Sequence, residues 1–179
     1  MDLSTLTGSI WRELELANTD RQHQWRTPVL ASIDTNGLPQ ARTVVLRKAC
    51  HHTQTLQFFS DARSPKVAQL RASGQIQLVF WSSALKWQLR VSAQARIETS
   101  GAEVDKAWQG IKLGPARQDY LSQFAPGDAL PDTATTALDE SPHLAIISAE
   151  VIHMDWLSLS SEGHQRAEIS ATAVRWLTP

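Results

Sequence analysis

Apolar residues recur at spacings of three and four over 3–18, where Leu3, Leu6, Ile10 and Leu14 share one side of a helical wheel. The chain therefore opens on an amphipathic helix that packs against a core. After a polar link, Val29, Ala31 and Ile33 alternate with Leu30, Ser32 and Asp34, the period of a strand. Thr35-Asn36-Gly37 supplies a hairpin turn, because Asn and Gly tolerate positive φ. A second strand is expected over 40–49, QARTVVLRKA, with β-branched residues at its centre and Arg42 and Arg47 toward its flanks. A turn at 51–54 leads to a third strand, TLQFFSD, and then the period changes. Ser64-Pro65-Lys66 has the chemistry of a helix start, with Ser as cap and Pro at the first helical position. Gly74 marks the end, predicting a helix over 64–73. Two more strands follow in QIQLVFWS and KWQLRVSAQARIE.

The second half begins with helical stretches over 101–111 and 115–124. Residues 125–142 carry Pro126, Pro131 and Pro142 among Asp, Glu and small residues, which predicts a long loop of the kind that often covers a functional site. Strand signals return in HLAIISAEVIHMDWLSL, HQRAEIS and AVRWLTP. Successive strands joined by short turns before residue 98 point to an antiparallel barrel rather than a parallel sheet. With no internal repeat and no break in composition, 1–179 is expected to form a single domain, mainly β with flanking helices.

Composition adds the cell compartment and the solvent. A 42% hydrophobic, 20% charged chain of 179 residues can bury a core without staples. Cys50 stands alone, so no internal disulfide is possible, no metal site is expected, and a reducing cytoplasm is the expected location. Neither a basic leader with an apolar stretch nor an apolar run of roughly 20 residues is present, which argues against secretion and membrane insertion. Seven Trp beside one Tyr call for large packing surfaces, an interface or a flat aromatic ligand. Trp11, Trp25, Trp81, Trp87, Trp108 and Trp176 are assigned to packing or a dimer contact.

The net charge of −1 conceals a division. Residues 1–90 hold 11 basic and 6 acidic side chains, whereas 91–179 hold 6 and 12. The cations of the first half are dispersed among apolar strand positions instead of forming a solvated run, which disfavours nucleic acid and favours a small anion such as phosphate. No nucleophile elbow and no glycine-rich phosphate loop is present. The anion site is instead expected from Arg42, Ser60, Ser64 and Lys66, combining a guanidinium fork, two hydroxyls, an ammonium and a helix N-terminus. The competing reading makes Arg42 and Lys66 ordinary surface cations and Ser64 a plain helix cap.

The order PVLASIDTNGLPQARTVVLR, FFSDARSPK and FWSSALKWQLRV, with Trp156, His164, Arg166 and the terminal WLTP, resembles the pyridoxamine 5′-phosphate oxidase family of FMN-binding split barrels. The resemblance implies an antiparallel split β-barrel and a homodimer in which two subunits share each FMN. It implies that Arg42, Thr43, Val44, Val45, Leu46 and Arg47 run along the flavin, with Arg42 at its phosphate. Phe59 and Ser60 match the next contacting pair, Ser64 and Lys66 the contacts at the helix start, Gln88 a hydrogen bond to the ring, and Trp156 and Arg166 the late contacts. Arg47 and His164 are the implied contacts to a small-molecule substrate.

Several positions depart from the pattern of family members that oxidise pyridoxamine phosphate. Pro65 replaces a basic residue, Arg47 replaces a Lys, Glu162 replaces a substrate-binding Arg, and the central Tyr, Arg and Ser motif is not recognisable in WQGIKLGPARQ. The implied activity is an FMN-dependent oxidoreductase with an unassigned substrate and no assigned catalytic acid or base. A non-catalytic FMN-binding module and a split barrel holding haem are the alternatives.

Overall fold

The computed structural model describes residues 2–131 and 137–179, so part of the 125–142 loop expectation lies outside the described residues. Helix α1 (Leu3–Thr19) is capped by the Asp2 carboxylate, which accepts from the Thr5 amide at 2.9 Å. Its stripe of Leu6, Ile10, Trp11, Leu14 and Ala17 is buried, as the spacing requires. Nine strands follow: β1 (Val29–Ile33), β2 (Pro39–Thr43), β3 (Leu46–Cys50), β4 (Thr55–Asp61), β5 (Gln75–Ser82), β6 (Trp87–Glu98), β7 (Leu144–Ser158), β8 (Gln165–Ser170) and β9 (Val174–Leu177). Between them lie α2 (Pro65–Ser73), α3 (Ala102–Ile111) and a short α4 (Gln118–Leu121). Gly74 ends α2 at φ +68°, a conformation that a Cβ would strain.

All pairings are antiparallel, and the main path runs β2-β1-β5-β6-β7-β4-β3. The sheet is curled but not closed, a split barrel. Strand β7 does double duty, pairing β4 with its first half and β8 with its second, while β6 runs along its whole length.

The strand expected over 40–49 is in fact two. Residues 39–43 pair with β1 at one edge of the path, and 46–50 pair with β4 at the other. Val44 and Val45 between them carry the chain across the split. Local β-propensity reads the whole run as one strand; the change of partner is a long-range property that local sequence does not encode. The stretch expected as a helix over 115–124 is also shorter, a 3₁₀ turn at Pro115–Arg117 running into α4.

Alternation divides the sheet into two faces. Leu30, Leu78, Leu89, Val91, Met154, Trp156 and Ala167 point inward to the core that α1 seals. On the outer face, α3 and α4 cover only one region, where Val104 and Tyr120 pack with Leu144 and Ile146 against Phe59. Elsewhere the outer face carries exposed Val29, Ile33, Trp81 and Ile152. Ile152 is pushed out by a register shift of β6 against β7, where Ser92 pairs with His153 but Ala93 with Val151.

Candidate functional site: a cation cradle at the split

Arg42 lies on edge strand β2, and Ser60 lies on β4 beside the opposite edge. Curling of the sheet brings both to α2, whose N-terminus sits at the split. The Arg42 guanidinium donates to Ser32 Oγ at 2.5 Å and to Gln69 Oε1, on α2, at 3.2 Å. Lys66, in the first turn of α2, donates to Ser60 Oγ at 2.8 Å. Ser64 is 1% exposed, and its hydroxyl makes no capping bond to the helix; it meets Ser60 Oγ at 2.9 Å and Lys66 Nζ at 3.4 Å instead. The plain-cap reading of Ser64 is thereby excluded.

Neither Arg42 nor Lys66 is paired with a carboxylate among the described residues. Burial pushes the Lys66 ammonium below the usual lysine value, and the like charge of Arg42 pushes it further, with Asp61 opposing. Burial alone lowers Arg42. Two desolvated cations and two hydroxyls at the start of α2 form a cradle whose charge suits an anion, although Ser60 also donates to the Asp61 carbonyl and the Val67 and Ala68 amides bond the Ser64 carbonyl. A phosphate monoester fits that donor set.

Arg47 enters a second group. Its guanidinium stands 5.5 Å from the Phe59 ring centroid, and its Nε is buried with no hydrogen-bond partner. Tyr120, on α4, is 6% exposed and adjoins Arg47; burial raises its phenol, which Arg47 opposes. Sequence reading missed Tyr120, whose only signal is that it is the single Tyr of the chain. Arg63 holds this neighbourhood in place. It donates to buried Asp61 from Nε at 3.1 Å and Nη2 at 2.7 Å, and also to the Ser122 carbonyl at 2.8 Å, clamping the segment after α4 onto β4.

The remaining expected residues lie elsewhere. Cross-strand register puts Trp81, Gln88, Leu157 and Arg166 in one row of the outer face. Arg166 bonds Asp155 in the neighbouring row. Trp156 pairs with Ala167 and therefore points to the opposite face, 1% exposed, edge-on to Trp87 with ring centroids 5.2 Å apart, its Nε1 without a partner. His164 is exposed in the turn before β8, close to exposed Glu162. Thr43, Val44, Val45 and Leu46 span the crossover. The structure thus joins Arg42, Ser60, Ser64 and Lys66, joins Arg47 to Phe59, and sets Gln88 and Arg166 in one row on either side of Leu157.

A split antiparallel barrel with flanking helices is the fold of FMN-binding proteins related to pyridoxamine 5′-phosphate oxidase. Residues 9–99 match the family of the pyridoxamine 5′-phosphate oxidase, FMN-binding domain, and the chain belongs to that family. It is 37% identical over 79 residues to a pyridoxine/pyridoxamine 5′-phosphate oxidase of Chromohalobacter salexigens, a match covering 44% of this chain and 35% of that protein. A protein of the same description from Thermosynechococcus vestitus is 33% identical over 94 residues, covering 52% and 43%. The chain therefore matches less than half the length of these curated relatives. Among solved structures, a pyridoxamine 5′-phosphate oxidase-related, FMN-binding protein from Nostoc punctiforme superposes with a TM-score of 0.74 at 20% identity, covering 96% of both chains. PhzG from Burkholderia lata, solved with tetrahydrophenazine-1-carboxylic acid, superposes with a TM-score of 0.78 at 20% identity, covering 96% of this chain and 91% of that one. These two likenesses establish the fold. No helix among the described residues is long and apolar enough to cross a membrane.

Proposed function

We propose that this chain binds FMN as a homodimer and acts as an FMN-dependent oxidoreductase on a small-molecule substrate in the cytoplasm. The observation that carries the reading is the carboxylate-free cradle of Arg42, Lys66, Ser60 and Ser64, which suits the FMN phosphate in charge and in donor count. The crossover residues Thr43, Val44, Val45 and Leu46 then run beside the flavin, with Phe59 nearby.

The two faces of the sheet support the dimer. Arg42 points inward, opposite Leu30, whereas Gln88 and Arg166 stand on the outer face. Within one copy the phosphate cradle and the Gln88–Arg166 row thus lie on opposite sides of the sheet, which supports a site completed by a second copy. The uncovered apolar face with Val29, Ile33, Trp81 and Ile152 offers the surface for that contact. Trp156 backs the row from the core side.

Bound FMN supplies the redox chemistry by accepting a hydride from the substrate. The protein binds and orients. Arg42 and Lys66 hold the phosphate, Gln88 and Arg166 hold the ring, and Arg47, with its unpartnered Nε, receives a polar group of the substrate, with His164 as a second contact. Glu162 sits two residues before His164 and places negative charge where a phosphorylated substrate would be received, so pyridoxamine phosphate is the weaker substrate proposal.

Absorbance of the purified protein, followed by FMN titration, tests the reading. Flavin bands or saturable FMN uptake support it. A Soret band, or a colourless protein that takes up no FMN, overturns it. A peroxide assay with pyridoxamine phosphate and with other reduced small molecules then separates an oxidase from a binding module.

A further inference from the structure

On the uncovered face, Asp155 of β7 is 6% exposed and receives three donors from two neighbouring strands. Arg166 of β8 donates from Nε to Oδ1 at 3.0 Å and from Nη2 to Oδ2 at 2.7 Å, a bidentate pairing, while Arg90 of β6 bonds Oδ2. The pairing is diagonal. Arg166 stands opposite Leu157 in the row of Gln88, yet its guanidinium leans back into the adjacent row, where Asp155 stands opposite Arg90 and Glu168. Two guanidiniums against one carboxylate leave the cluster with an excess positive charge. Arg166 keeps Nη1 unbonded among the described residues.

We propose that Asp155 is a positioning residue of the flavin site: it fixes one orientation of the Arg166 guanidinium and leaves Nη1 free for the cofactor. This rests on the reading of the Gln88–Arg166 row as the surface that meets the flavin ring. An arginine on an open sheet face has many rotamers, and a bidentate carboxylate selects one fork orientation before the ligand arrives. Arg90 offsets the carboxylate charge, so the pair does not present a neutralised arginine to an electron-rich ring. The Asp155 carboxyl stays ionised through this arrangement: burial by itself would raise it, but the Arg166 and Arg90 bonds hold it below the usual range. The same three residues also staple β6, β7 and β8, so the test must separate positioning from stapling.

A double-mutant cycle on the intact protein, read by FMN affinity from fluorescence quenching with thermal stability measured alongside, makes that separation. Asp155→Asn should weaken FMN binding about ten-fold, the scale of a charge-assisted hydrogen bond lost through misorientation. Asp155→Glu should recover most of it. In an Arg166→Ala background, Asp155→Asn should change affinity less than about two-fold, because there is no guanidinium left to place. Equal losses from Asp155→Asn in both backgrounds, or no loss in either, overturn the inference while leaving FMN binding by the cradle intact. If Arg166→Ala alone leaves FMN affinity unchanged, the ring-contact reading of the row fails, and the positioning role fails with it.

Discussion

Lys66 Nζ donates to Ser60 Oγ at 2.8 Å at the opening of the barrel, where burial and the like charge of Arg42 disfavour the ammonium and Asp61 favours it. Ser60 belongs to β4 and Lys66 to α2, six residues later, so the contact turns the strand-to-helix junction into one wall of the cradle. Such an arrangement costs the empty protein stability and favours an anion.

Replacing Arg42 or Lys66 with Ala should weaken FMN binding by about 1 to 3 kcal/mol each, as expected for a lost charge-assisted hydrogen bond. Isothermal titration with FMN, and with riboflavin as the phosphate-free control, reads it; the riboflavin affinity should change little.

The empty protein should respond in the opposite direction. Lys66→Met removes a desolvated cation held beside Arg42 and should raise apoprotein stability by roughly 1 kcal/mol while impairing the cofactor site. The pH dependence carries the same sign. The folded Lys66 value lies below its ordinary 10.5, so the unfolded chain binds more protons between those two values. Apoprotein stability should therefore gain from Lys66 as pH rises through that window, and urea midpoints of the wild type and Lys66→Met should converge there.

Asp155 gives the mirror case at the acidic end. Its folded carboxyl titrates below the ordinary 3.8, so its contribution is complete above that value and is lost as pH falls through the folded one. Thermal midpoints below pH 3.8 should fall more steeply for the wild type than for Asp155→Asn.

Arg63→Ala should strip Asp61, which is 5% exposed, of its partner and release the 122–124 backbone. A loss of roughly 3 kcal/mol is expected for breaking such a pair, with faster amide exchange in the Tyr120 segment. Hydrogen exchange by mass spectrometry locates the change.

Ile152→Asp places a charge at the bulge of the uncovered face. Sedimentation should show the dimer dissociating, and FMN affinity should become dependent on protein concentration.

Local chemistry made much of this legible in advance. The stripe of α1, the Ser64-Pro65 start and Gly74 end of α2, and the alternation of β4 and β6 are short-range signals, and the cradle residues Ser60, Ser64 and Lys66 lie within seven residues of one another. What stayed hidden depends on strand partners. Val44 and Val45 read as strand interior because β-branched residues carry no mark of where the pairing changes. Trp156 and Arg166 are spaced as the family spaces them, yet the register of β7 on β8 sets them on opposite faces. The Arg90–Asp155–Arg166 cluster required that same register, joining residues far apart in the chain.

The two-residue crossover at Val44 and Val45 also behaves as a ruler. It ties both edges of the main strand path, so the gap in which the cations stand has a width fixed by the length of the tether rather than by side chains alone. Lengthening it would let the edges drift apart and the cradle lose its grip, whereas substitutions within it would alter only the lining. Backbone length thus sets the width of the opening, and charge sets its chemistry.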